Sequence, residues 1–270
     1  MERKERKTAL VTGASRGIGK GIALVLAKKG YDLAITYSQH SGEAEAVSRE
    51  IKQKYGTECM FYQASLEDAD VPAELVKKTT DRFQRLDLLV NNAGVTAFED
   101  ILDLKHGTIN KLFSLDFRAY LLMIHEAASF MVREKIKGSI VNITSSRGER
   151  AYPGDAIYGG MKAALERATQ SIALDLSPYG IRVNCVAPGC TMIKDENDFY
   201  RKLAPKIPLE RIGSIEDIGN AVAWLASGEA SYVTGVTLRV DGGLILAGMP
   251  EMEPKDKVDR GWGFVPQRQL

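Results

Sequence analysis

Short apolar runs alternate with longer amphipathic ones along almost the whole chain, and this alternation limits the fold more than any single motif. The strand-like runs are Thr8–Val11, Asp32–Tyr37, Glu58–Gln63, Leu86–Asn91, Ser139–Thr144, Arg182–Ala187 and Thr237–Val240. Several are nearly continuous in Val, Ile, Leu and Ala, as expected of strands buried on both faces. Between them the spacing predicts helices over about Gly19–Lys29, Glu43–Lys54, Asp70–Phe83, Thr108–Glu134, Ala156–Leu176 and Ile215–Ala226. Ser214-Ile-Glu-Asp217 has the pattern of an N-terminal cap with an acid in the first turn. Such alternation predicts an α/β fold, a single-domain doubly wound parallel sheet with helices on both faces. The section Asp195–Pro208 breaks the alternation. The expected domain covers residues 1–247, and residues 248–270 form a C-terminal extension with scattered Gly and Pro.

The remaining composition excludes several classes. The 270 residues carry a formal charge of +1, which gives no electrostatic reason to expect nucleic acid or an anionic membrane as partner. Cys59, Cys185 and Cys190 fit neither a disulfide framework nor a zinc motif, and His40, His106 and His125 form no metal motif, so no metal is expected. No run of eighteen apolar residues occurs, and the charged start Met1–Lys7 has no hydrophobic signal region; the expected setting is cytoplasmic and reducing. Asn142-Ile-Thr144 matches a glycosylation sequon but lies in a strand-like run, where chance explains it better.

Two local features point to chemistry. Directly after the first strand stands Thr12-Gly-Ala-Ser-Arg-Gly-Ile-Gly19, opening a helix. Glycines there let backbone amides approach a pyrophosphate while the helix N-terminus favours its charge. Further on, Tyr158 and Lys162 stand four apart, on one face of a helix. A cation beside a phenol favours the phenolate. Either feature alone is weak, since tight turns need glycine and Tyr-x-x-x-Lys occurs by chance.

Together with three further motifs they resemble the short-chain dehydrogenase/reductase family, whose fold is of Rossmann type. The glycine turn matches that family's Thr-Gly-x-x-x-Gly-x-Gly, and Asn91-Asn-Ala-Gly94 its Asn-Asn-Ala-Gly. Ser145, thirteen residues before Tyr158, stands where the family places its catalytic serine. Ile181-Arg-Val-Asn184 with Pro188-Gly189 matches the next strand and turn. Within the family the chain is similar to glucose-1-dehydrogenase-like and 3-oxoacyl-carrier-protein-reductase-like members. The resemblance implies that Tyr158 exchanges the proton, Lys162 supports it and holds the nicotinamide ribose, and Ser145 binds the substrate oxygen. It also implies a homotetramer. Asp116 occupies the position of an asparagine that supports a proton-relay water; a carboxylate accepts hydrogen bonds but cannot donate as an amide does.

For the cofactor, the resemblance implies contacts from Gly13, Ser15, Arg16, Gly17, Ile18 and Gly19 in the turn, and from Tyr37 and Ser38 after the second strand. Ser65 and Leu66, then Asn92, Ala93 and Gly94, would follow, with Tyr158, Lys162, Pro188, Gly189 and Thr191 completing the set. No acid ends the second strand, where NAD-binding members carry one, and Arg16 lies where NADP-preferring members carry a base. NADP(H) is therefore expected, with NAD(H) also compatible. Ser65 replaces the family's adenine-facing acid, and Ile193 holds the place of a threonine that here arrives early, as Thr191. The segment Cys190–Pro208 suits a small-molecule alcohol or ketone such as a sugar or steroid. A 3-oxoacyl-carrier-protein reductase, a regulator that binds nucleotide without catalysis, and a plain nucleotide-binding domain are the alternatives. Ile136 and Tyr179 stand where carrier-protein reductases present basic residues, with Lys135 and Lys137 adjacent. In the extension, Gly261-Trp-Gly-Phe-Val265 is expected to be ordered across a subunit interface.

Overall fold

The structure is a computed structural model that describes residues 6–246. Its strands form one seven-stranded sheet in the order β3-β2-β1-β4-β5-β6-β7, with every neighbouring pair parallel. These are β1 (Thr8–Val11), β2 (Asp32–Tyr37), β3 (Cys59–Gln63), β4 (Leu88–Asn91), β5 (Ser139–Ile143), β6 (Arg182–Pro188) and β7 (Thr237–Val240). The connecting helices are α1 (Gly17–Lys28), α2 (Ser41–Tyr55), α3 (Val71–Phe83), α4 (His106–Phe113), α5 (Ala119–Arg133), α6 (Ala156–Leu176), α7 (Asp198–Leu203) and α8 (Ile215–Ala226).

Strand side chains alternate between faces, so one apolar run feeds two cores. Ala9 and Val11 of β1, with Leu33, Ile35, Leu88 and Val90, pack against α1, α2 and α8. Leu10 between them points the other way, with Ala34, Leu89 and Ile140, onto α3 and α5. This explains why the strands read as continuous apolar runs. The first layer is drawn tight by glycine: a Cβ on Gly219 of α8 would lie 2.9 Å from the Gly21 carbonyl oxygen of α1. The expected cap on α8 is present, since Ser214 accepts from the Asp217 amide while Asp217 accepts from the Ser214 amide.

Two readings change, and the reading of Asn142-Ile-Thr144 as a chance match stands. The helix expected over Thr108–Glu134 is α4 and α5 joined by a single π-helical turn, Ser114–Arg118. One extra residue in a turn barely disturbs the apolar period, so the pattern hides it. The irregular section Asp195–Pro208 contains the short helix α7, capped by Asn197 Oδ1, which accepts from the Tyr200 amide at 3.1 Å. Its Tyr200 packs with Ile207 and Ile212 in a small core of its own. Asn142 is wholly buried in β5 and bonded to Asn91 and Thr169, which removes it as a glycosylation site. The expectation for residues 248–270 falls outside the described residues. Among the described residues no helix is long and apolar enough to cross a membrane, and no cluster of His, Cys, Asp or Glu could hold a metal ion.

Candidate active site

The strand order reverses direction between β1 and β4, and ligands of doubly wound sheets bind outside the strand ends at such a point. Thr12 ties the two strand ends together. Its hydroxyl accepts from the amides of Asn92 and Ala93, at 2.9 and 3.0 Å. The Asn92 side-chain amide returns to the carbonyls of Thr12 and Gly13. Gly13 has φ +62°, and a Cβ there would press on Ala93 at 2.9 Å. A Cβ on Gly19 would sit 2.3 Å from the Gly13 carbonyl oxygen. These glycines let the turn pack closely on itself and on the loop after β4 at the start of α1, a helix N-terminus of the kind that favours an anion.

The second half of the site comes from β5, the π-turn and α6. Ser145 follows β5, and its Oγ accepts from the Arg147 amide at 3.2 Å. Gly159 lets α6 press against this segment, because a Cβ there would meet the Arg147 carbonyl oxygen at 2.8 Å. Tyr158 and Lys162 then face a cavity of about 160 Å³ that Ser145 also borders. Asp116 lines it from the π-turn, Ile18 from α1, Asn92 and Gly94 from the loop after β4, and Pro188 and Gly189 from the end of β6.

Lys162 is buried at 3 % exposure, and its Nζ donates to the Ile143 carbonyl at 3.3 Å. It lies 3.0 Å from Asp116 Oδ1, 5.0 Å from the Tyr120 ring centroid and 5.7 Å from that of Tyr158. Asp116 Oδ2 accepts from the Val95 amide at 3.2 Å. Oδ1 makes no well-aligned hydrogen bond among the described residues, so its contact with Nζ is chiefly ionic. Burial raises the Asp116 pKa, with Lys162 and the Val95 amide pulling it down. Burial works against the Lys162 ammonium, but Tyr120, Asp116 and Tyr158 outweigh it and the net shift is upward. Burial also lifts the Tyr120 phenol well above its ordinary range. One helical turn beyond Lys162, Glu166 is pushed up to about 7, first by burial and also by Glu149.

The other expected cofactor contacts spread outward from this cavity. Arg16, Ser15 and Gly17 lie at the opening of α1, where Arg16 is exposed and has no ion-pair partner among the described residues. Tyr37 ends β2, and the carbonyl of exposed Ser38 accepts from Gln63 at 3.0 Å. Ser65 is exposed, whereas the Leu66 side chain turns into the core and leaves only its backbone for a ligand. Thr191 does not line the cavity; its hydroxyl turns back to the Gly189 carbonyl at 3.4 Å, in a segment bridged to Gly213. Ile193 lies against the glycine turn instead, within 3.5 Å of where a Gly17 Cβ would stand.

Sequence reasoning missed Thr12 as a clamp, although its hydroxyl stands inside the glycine motif. It also missed Val95 and the group around Arg147. The Arg147 guanidinium lies between the rings of Phe98 and Tyr152, at 4.5 and 4.3 Å, and pairs with Asp155 at 3.0 Å. No spacing signal marks these residues, because they come from separate irregular segments.

A parallel sheet with a glycine turn at its reversal point is an architecture that binds nucleotide cofactors. Residues 13–245 match the family model described as enoyl-(acyl carrier protein) reductase. The chain is 40 % identical to the 3-oxoacyl-[acyl-carrier-protein] reductase FabG of Staphylococcus aureus, over 90 % of this chain and all of that protein. Among solved structures it is similar to an acetoin dehydrogenase from Enterobacter cloacae, with 34 % identity and a TM-score of 0.85, covering 93 % of this chain and all of that one. The acetoin dehydrogenase YohF of Salmonella typhimurium gives 34 % identity and a TM-score of 0.83, covering 89 % of this chain and 98 % of that one. The protein belongs to the short-chain dehydrogenase/reductase family and is an NAD(P)-dependent oxidoreductase.

Proposed function

We propose that this protein is an NADP(H)-preferring enzyme that interconverts a secondary alcohol and a ketone on a medium-sized substrate, such as a sugar or a steroid. The carrying observation is that Ser145, Tyr158 and Lys162 border one cavity that also meets the glycine turn through Ile18. In reduction the Tyr158 hydroxyl gives its proton to the carbonyl oxygen, and in oxidation it takes the proton from the alcohol. Ser145 Oγ accepts from the Arg147 amide, which leaves its own proton free to bond that same oxygen. Lys162 sets a positive charge 5.7 Å from the centre of the Tyr158 ring, on the wall of the same cavity.

The residues present fit the dinucleotide. Gly13 and Gly19 let the turn close on itself and on Asn92 and Ala93, so that the amide end of α1 stands at the reversal point of the sheet, where a pyrophosphate would be held. Exposed Arg16 at the start of α1 and the missing acid after β2 favour a 2′-phosphate. When bound, the nicotinamide supplies or takes up the hydride. A homotetramer fits the apolar side chains left exposed at Leu174, Tyr179, Trp224 and Tyr232. The free thiols of Cys59, Cys185 and Cys190 suit a reducing, cytoplasmic setting.

A second reading, reduction of 3-oxoacyl groups on a carrier protein, is favoured by the similarity to FabG. Against it, Ile136 is apolar and Tyr179, half-exposed, is uncharged where a basic docking residue would stand. A panel of secondary alcohols and ketones, free 3-oxoacyl thioesters and the same thioesters on carrier protein, assayed with NADP(H) and NAD(H), separates the two. Turnover of free ketones with NADPH supports the first reading. Turnover confined to the carrier-bound thioesters replaces it with the second, and no turnover on any member rejects both.

A further inference from the structure

The Asp116–Lys162 pair is costly. The two side chains are 0 % and 4 % exposed, and each charge gave up its hydration to be there. Such a pair is seldom more stable than an apolar pair of the same volume, so fold stability alone does not account for it. The surroundings are nevertheless shaped to admit it. The π-turn places Asp116 on the cavity wall, and the Val95 amide fixes Oδ2. Gly94 leaves room for Oδ1, which would lie 2.4 Å from any Cβ at that position. The ammonium is held from two further sides, by the Ile143 carbonyl and by the Tyr120 ring.

We propose that Asp116 is a positioning residue: acting through Lys162, its carboxylate pins the ammonium beneath Tyr158 and keeps it charged. This rests on the reading of Ser145, Tyr158 and Lys162 as the catalytic group. An asparagine of the same shape could also contact Nζ, through its carbonyl oxygen, but it would bring no negative charge.

The titratable groups around the ammonium are few. Asp116 faces it from the π-turn, Tyr120 from α5, and Tyr158 from α6. Glu166 on α6 and the Cys185 thiol of β6 interact with it more weakly. The Tyr120 phenol and the Cys185 thiol are both pushed up by burial, the latter to about 12, so neither is an anion near neutral pH. Of the groups that face the ammonium, Asp116 is the carboxylate at ion-pair distance, 3.0 Å, and its loss removes a charge that opposes the effect of burial on Lys162.

The test follows the ε-carbon of Lys162 by 13C NMR against pH in protein carrying labelled lysine, with Lys162→Arg used to assign the signal. In the wild type the signal is expected to stay at its ammonium position beyond pH about 10.4, the ordinary lysine value. In Asp116→Asn its midpoint is expected to fall by about 1–3 units. The alkaline limb of kcat is expected to move the same way, while KM for the cofactor changes less. Asp116→Ser, which also removes the charge, gives the second reading if the asparagine variant does not fold. A wild-type midpoint at or below the ordinary value, or superimposable titrations in the charge-removed protein, overturns the proposal. The NMR titration needs no substrate. Absence of turnover on every compound would therefore sink the catalytic reading and leave the Asp116–Lys162 coupling to stand or fall on the titration alone.

Discussion

The ring of Phe98 stands edge-on to the ring of Tyr158, with centroids 6.3 Å apart and planes at 83°. Phe98 is half exposed, and the Arg147 guanidinium lies 4.5 Å from its centroid. Phe98 lies outside the cavity lining but against Tyr158, and under the proposed function it is expected to present an apolar surface to a substrate approaching that phenol. Phe98→Ala is expected to raise KM for a ketone substrate about tenfold, the loss of roughly 1.4 kcal/mol of contact, and to leave KM for NADPH unchanged. Steady-state kinetics with each reactant varied in turn checks this. A matching rise in both constants would point to a general disturbance of the loop.

Arg16 is exposed at the N-terminus of α1 with no ion-pair partner among the described residues, and is expected to meet the 2′-phosphate of NADP. Its replacement by alanine removes a charge-assisted contact of about 1.5–3 kcal/mol. The expected result is a rise of about tenfold or more in KM for NADP, with little change for NAD. If both cofactors lose affinity equally, Arg16 binds no phosphate.

Glu166 yields a prediction about stability. Its carboxyl titrates at about 7 in the folded chain, raised first by burial, against about 4.3 when unfolded. Between those values the folded state holds a proton that the unfolded state has released. Its contribution is thus fully present below pH about 4 and is lost as pH rises through about 7. Glu166→Gln removes this dependence, so its Tm relative to wild type is expected to be higher at pH 8 than at pH 4.5. Thermal melts at the two pH values measure it, and an equal offset at both would show that the carboxyl does not titrate in that range.

Much of the site was legible because it rests on regular elements. Tyr158 and Lys162 share a face of α6, an unbroken helix whose bounds the spacing gives correctly, and Ser145 follows a strand end. The glycine turn was legible because its residues answer to a steric demand that the structure shows at Gly13 and Gly19. What the sequence concealed depends on irregular backbone. The π-turn that aims Asp116 at Lys162 adds too little to the period to be seen, so the acid could be noticed while its ion pair could not. Phe98 and Arg147 meet across two loops, and Ile193 reaches Gly17 from a third. No local pattern encodes such contacts, because they are set by where the sheet's ends bring those loops together.

The proposed function rests on proton exchange by Tyr158 in a site where other groups bind the dinucleotide. The most direct measurement compares wild type and Tyr158→Phe for ketone-dependent oxidation of NADPH, followed by nicotinamide absorbance, alongside NADPH affinity followed by fluorescence. Turnover is predicted to fall by about 100-fold or more, the usual worth of a positioned general acid, while NADPH affinity stays within a few-fold of wild type. Turnover within a few-fold of wild type, with the same substrate and cofactor, would contradict it.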